Sequence, residues 1–174
     1  MRSDSVIIEE PIRIEELASR PPWLAAVLED GYLRQYDVAK LAVDSGVNDL
    51  GNYMHHVLDL RANYWSLWTE ARNLARYNEM YPRGFELLRT NLGYRLRPAW
   101  VWQRKRHGTF ELIVAVSNRG VAGVPGVLWL QLESPDGRLK LRGSLDAGQP
   151  HGGGTRQASL LLPNQYTGQV NLSA

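Results

Sequence analysis

The 174-residue sequence contains no cysteine. Disulfides and thiolate metal sites are therefore excluded, and the redox compartment is left open. No apolar run reaches the roughly 18 residues that a membrane-spanning helix needs. Net charge is almost absent: 20 Lys and Arg stand against 18 Asp and Glu, a formal +2. Binding to a polyanion is thus not the default expectation. The opening residues, MRSDSVIIEE, lack the basic start and apolar core of a signal peptide. The expectation is a cytoplasmic chain, or a secreted or periplasmic one whose signal lies upstream. There is no G-x-S-x-G nucleophile elbow, so Ser-His-Asp catalysis has no support. Glycines 152–154 lack the Lys-Ser/Thr of a phosphate loop and read as a flexible loop. No cofactor and no membrane partner are expected.

What is present is a hydrophobic fraction of 44%, enough for a real core. The length suits one compact domain or two small ones. Residues 1–20 hold one apolar triplet, Val6-Ile7-Ile8, and read as a short strand or extended arm. Pro22 suits the first turn of a helix carrying Trp23, Leu24, Val27 and Leu28, with Gly31 at its end. A second helix is expected over 33–45, and residues 46–52 are turn-rich. The central stretch, 53–78, reads as a buried strand at 55–60 running into an amphipathic helix. Leu60, Tyr64, Leu67, Trp68, Ala71, Leu74 and Ala75 form its apolar face. Trp65 falls on the opposite face with Thr69, Arg72 and Arg76. Pro82-Arg83-Gly84 breaks that helix, and Phe85, Leu87, Leu88 and Leu92 suggest one more helical segment.

At Gly93 the pattern changes to alternation. GYRLRPAWVW, TFELIVAVSN, VLWLQLE, RLKLRGSL, TRQASLLLP and TGQVNLSA read as six strands. QRKRHG, RGVAGVPG, the Ser134-Pro135-Asp136-Gly137 turn and DAGQPHGGG connect them. Such spacing fits an all-β sandwich. The expected fold class is α+β, split into a mostly helical segment, 1–92, and an antiparallel β-sandwich, 93–174. A Greek-key sandwich uses about seven strands, and the first part holds only one convincing strand. Both ends are therefore expected to be cut from something larger, or the sandwich to be incomplete.

The run NYMHHVLDLRANYWSLWTEARNLARYNEMYP, followed by GFELLRTNLGYRLRPAWVW, resembles a junction in bacterial glycosidase-like proteins. There an eight-stranded β/α barrel ends and an immunoglobulin-like β-sandwich of unknown function begins. The sandwich resemblance rests on Leu92-Gly93-Tyr94-Arg95-Leu96, on Val116-Ser117-Asn118-Arg119-Gly120-Val121-Ala122, and on Leu162-Pro163 before Gly168. The resemblance implies that 55–60 is the last barrel strand and that the last barrel helix starts at Tyr64. It implies two readings. One is a non-catalytic accessory unit whose sandwich caps the barrel or binds carbohydrate. The other is part of a carbohydrate-active hydrolase completed by the rest of the barrel. A structural interaction module is a third possibility.

Barrel enzymes work at the C-terminal ends of their strands. On the reading above, Asp59, Arg61, Asn63 and Trp65 sit at that rim. An aromatic face with hydroxyl-binding polar groups is what sugar recognition needs. The bland alternative pairs Asp59 with Arg61 and packs Trp65 under the sandwich. His55 and His56 would point to opposite faces of a strand, which disfavours a shared metal. His107 and His151 stand alone in loops. Glu70 and Glu79 read as solvated helix residues, with no dyad recognisable by spacing. Arg104-Lys105-Arg106-His107 reads as a solvated loop tip rather than a nucleic-acid contact. Trp100 and Trp102 share a face by alternation: outward they form a sugar platform, inward a core. Trp129 is a third aromatic of that region.

Overall fold

The structure, a computed structural model, describes residues 1–3, 11–29, 49–66, 71–163 and 171–173. The strand expected at 6–8, the helix expected at 33–45, and positions 67–70, Glu70 among them, lie outside the described residues. The fold is α+β, with mostly antiparallel sheet and few helices. The first part runs β1 (Arg2–Ser3), α1 (Pro11–Ser19), β2 (Val27–Glu29), α2 (Asp49–Asp59), β3 (Tyr64–Ser66), α3 (Ala71–Met80) and α4 (Pro82–Asn91). Its three short strands form a parallel sheet in chain order, β1-β2-β3. Leu28 stands in register between Ser3 and Trp65.

Several of these elements differ from the periodicity reading. Residues 55–59 belong to helix α2 and Leu60 to the turn after it, so 55–60 is not a strand. The reason is visible in burial: Met54, Val57 and Leu60 are buried at three-residue spacing, a helical stripe. The strand lies further on, at Tyr64–Ser66, where β-prone aromatics alternate exposed and buried. The expected arm is helix α1, which turns Ile14, Leu17 and Ala18 onto the core. The expected helix after Pro22 is instead the approach to strand β2. Helix α4 matches its expectation, with Pro82 in its first turn. These elements bury Leu17, Leu28, Met54, Val57, Trp65 and Leu88 in one core.

The second part matches the six expected strands: β4 (Leu96–Arg106), β5 (Thr109–Asn118), β6 (Leu128–Glu133), β7 (Lys140–Leu145), β8 (Thr155–Leu162) and β9 (Asn171–Ser173). They form two three-stranded antiparallel sheets, ordered β4-β5-β8 and β7-β6-β9. The inner faces share a core of Leu112, Val114, Val116, Leu130, Leu132 and Leu160, among others. Gly143 shows how closely the sheets approach: a Cβ there would lie 3.1 Å from Leu160 Cδ2 of the facing sheet. One boundary is corrected. Residues 103–106 are not a loop but the end of β4, and only His107 and Gly108 turn. Both have positive φ, 48° and 85°, as a two-residue primed hairpin requires.

The two parts are joined by backbone. The N–H of Gly93 donates to Ala62 O at 3.0 Å, and that of Val121 to Asn91 O at 2.8 Å. Asn118 sits at this seam, 1% exposed. Its Oδ1 accepts from the backbone N–H of Arg95 (2.8 Å) and of Gly120 (3.0 Å). Its Nδ2 donates to Ala122 O (2.7 Å) and Pro150 O (3.0 Å). Gly120 must be glycine for space: a Cβ would lie 2.1 Å from Gly93 O. Asn118→Ala leaves three buried backbone groups and one part-buried one without the amide's hydrogen bonds, so we expect a loss of about 3 kcal/mol. Urea unfolding of the variant beside the parent protein measures it.

Candidate functional site

The outer face of the β4-β5-β8 sheet gathers more chemistry than any other described surface. Its rows follow from register. Trp100 stands opposite Ala115, which stands opposite Gln157; Trp102 opposite Ile113, then Ser159; Arg104 opposite Glu111, then Leu161. Trp100 and Trp102 therefore do share one face, and it is the outward one, with 38% and 59% of their surface exposed. Their ring centroids lie 6.2 Å apart and the planes are inclined by 35°. The middle column is small or buried, so the two indoles stand above Ala115 and Ile113 rather than beside bulky neighbours. Gln157 and Ser159 are exposed polar groups across the strand from them. The result is an aromatic shelf edged by hydrogen-bonding side chains.

Glu111 anchors one end of the shelf. It is buried, on the outward face, and its carboxylate accepts hydrogen bonds from Arg104 Nε and from the Ser159 hydroxyl. The Arg104 hydrogen bond, with that of Ser159, holds its pKa below the ordinary carboxylate value, and raises that of Arg104 in turn. The carboxylate is thus kept ionised as a fixed acceptor, not poised to exchange a proton.

The four residues expected at a barrel rim are placed differently. Asp59, Arg61 and Asn63 precede β3 and so lie toward its N-terminal end, because the strand begins only at Tyr64. Asp59 is the exposed last residue of α2. Arg61 is exposed and has φ 53°. It occupies the left-handed position that ends α2, with Arg61 N–H bonded to Leu58 O at 2.9 Å and Ala62 N–H to Val57 O at 3.3 Å. Asn63 is used at both ends of its amide: Oδ1 accepts from Ala26 N–H at 3.0 Å, and Nδ2 donates to Gly123 O at 3.2 Å. Trp65 is buried in the first core, and its Nε1 has no partner among the described residues. The four do not form one surface. Nearby, Arg20 gathers the helix ends, donating to Leu17 O and Leu60 O at 2.6 Å each, and to Leu24 O and Arg61 O.

His55 and His56 are neighbours on a helix, His107 is in the hairpin turn, and His151 bonds Gly152 O at 3.0 Å. Among the described residues no three His, Asp or Glu side chains converge as a metal site. No described helix is long and apolar enough to cross a membrane. Glu79 is exposed on α3. Trp129 is exposed on the outer face of the other sheet, opposite Ser144. What sequence reasoning missed was Glu111 and Ser159. The signal was there in the alternation of TFELIVAVSN, which sets Glu111 on the face opposite Leu112 and Val114. Comparison with protein-family models, with curated proteins and with solved structures finds no match.

Two outcomes follow. A carboxylate with a lowered pKa stabilises the fold above its unfolded value, about 4.3 for Glu, and that contribution disappears as pH falls through the lowered value. The melting temperature of the parent protein should therefore drop more steeply in acid than that of Glu111→Gln, and the two profiles should differ least at the most acidic end. Separately, Arg61→Gly removes the strain of a side chain at positive φ and should stabilise by about 1 kcal/mol. Chemical denaturation of that variant checks it.

Proposed function

We propose that this chain is the non-catalytic, carbohydrate-binding end of a larger glycosidase-like protein, with the β4-β5-β8 face as its glycan surface. One observation carries the reading: Trp100 and Trp102 are exposed side by side on a sheet, beside exposed polar groups. Pyranose rings present apolar C–H faces to aromatic side chains and hydroxyls to polar ones, and this surface offers both. An inclination of 35° prevents both rings from lying flat on one planar surface. The shelf therefore suits single, soluble polysaccharide chains with a twist, rather than a crystalline face.

The proposed architecture has support of its own. The sheet orders β4-β5-β8 and β7-β6-β9 are those expected of the first six strands of an immunoglobulin-like Greek key with a switched fourth strand. Parallel strands β1-β2-β3 in chain order, separated by helices, are what successive β/α units of a barrel make. In this proposal β3, not 55–60, is the last barrel strand. A second reading, part of a carbohydrate-active hydrolase, is favoured by Glu29: it ends β2 on the edge where barrel enzymes work, bonded to Arg2 at 3.0 Å.

Titration of the protein with soluble polysaccharides, followed by tryptophan fluorescence, tests the proposal. Saturable binding is expected. Trp100→Ala and Trp102→Ala should each weaken it roughly tenfold, about 1.4 kcal/mol, while Trp129→Ala leaves it unchanged. Binding that survives both shelf substitutions would contradict the assignment.

A further inference from the structure

The β4 strand carries an irregularity that changes what its outer face can hold. The pairing slips between Pro98 and Trp100, so that Ala99 is an extra residue. By simple alternation Arg97 and Trp100 would point to opposite faces. The slip restores Arg97, opposite Ser117, to the face of Trp100, Trp102, Arg104 and Arg106. Five side chains of one strand then stand in a line, with an arginine beyond the indoles at either end.

Their charges are not matched. Arg104 is paired with Glu111. Arg97 donates its Nε to the Ser117 hydroxyl at 3.0 Å and has no carboxylate partner among the described residues. Arg106 is exposed at the end of the strand and acts on Glu111 only through space. A chain with a formal charge of +2 thus carries Arg97, Arg104 and Arg106 against the single carboxylate of Glu111 on this aromatic shelf. Trp102 and Arg106 are four residues apart, roughly 13 Å along the strand, so a ligand meeting both must be a polymer lying along β4.

The geometry points to a uronate-bearing polysaccharide as the ligand of this face, with sugar rings on Trp100 and Trp102 and carboxylates at Arg97 and Arg106. This inference rests on the glycan reading above and narrows it. Single-stranded nucleic acid uses the same two ingredients, cations and stacking faces. One feature favours the glycan. Arg97 and Arg106, which have no carboxylate partner among the described residues, sit at the two ends of the face rather than forming a continuous rail for closely spaced phosphates.

The test compares three probes at low salt: polygalacturonate, its fully methyl-esterified neutral form, and oligothymidylate. The proteins are the parent chain, Arg97→Gln and Trp102→Ala, each first shown to unfold cooperatively. Polygalacturonate should bind more tightly than the ester, and the gap should close as salt rises to about 0.5 M. Arg97→Gln should weaken polygalacturonate binding about two- to fivefold, the range of an exposed ion pair, and leave the ester unaffected. Equal binding of acid and ester, with Arg97→Gln silent and Trp102→Ala weakening both, would overturn the acidic preference and leave the glycan surface standing. Tighter binding of oligothymidylate than of either polysaccharide would overturn both, as would no binding of any probe.

Discussion

One buried side-chain amide holds the structure together at its most demanding point. Asn118 is the last residue of β5, and its amide satisfies backbone groups just before β4 and in two loops that fold back on it. Only a side chain with two donors and two acceptors can do this, which is the inventory of Asn or Gln. The glycines around it are part of the same solution. Gly120 lies closer to the backbone of Gly93 than a Cβ permits, and Gly93 itself has a positive φ of 74°. Fixing Arg95 at the start of β4 also fixes the register of the whole β4–β5 hairpin, and with it the line of side chains on the outer face.

That outer face shows how an edge strand can be left exposed without inviting another strand. Among the described strands β4 pairs on one side only, and it is exposed along nearly its full length. Pro98 lacks an N–H, Ala99 interrupts the pairing, and Arg104, Lys105 and Arg106 charge the far end. Each is a known guard against edge-to-edge association. The guards protect the edge but leave the face open, and the face is where the two indoles stand. Exposing two tryptophans together is costly for a protein that gains nothing from it, because contiguous apolar patches promote non-specific contact.

The sequence revealed its two parts unequally. From Gly93 onward, two-residue alternation and turn residues coincide, so all six strands were readable. Before Gly93 the signals conflict. Met54, Val57, Leu58 and Leu60 carry a helical stripe that short-range reading takes for an apolar strand. Leu60, Tyr64 and Ala71 fit a helical spacing by coincidence, across a turn and a strand. The short parallel strands, two or three residues each, are too brief for any periodicity. In β4 the face of Trp100 and Trp102 followed from alternation, but its direction did not, since direction depends on how far the second sheet covers the first. The placement of Arg97 was hidden too, because a bulge is a property of pairing, not of one strand.

Residue-resolved NMR is the most direct measurement of where a glycan binds. A soluble acidic oligosaccharide would be titrated into isotope-labelled protein while the tryptophan indole N–H signals are followed. Saturable shifts of Trp100 and Trp102, together with the backbone of Gln157 and Ser159, are expected, with Trp65 and Trp129 unmoved. Shifts centred on Trp129 or Trp65, or none at saturating ligand, would contradict the assignment of the β4-β5-β8 face as the glycan surface.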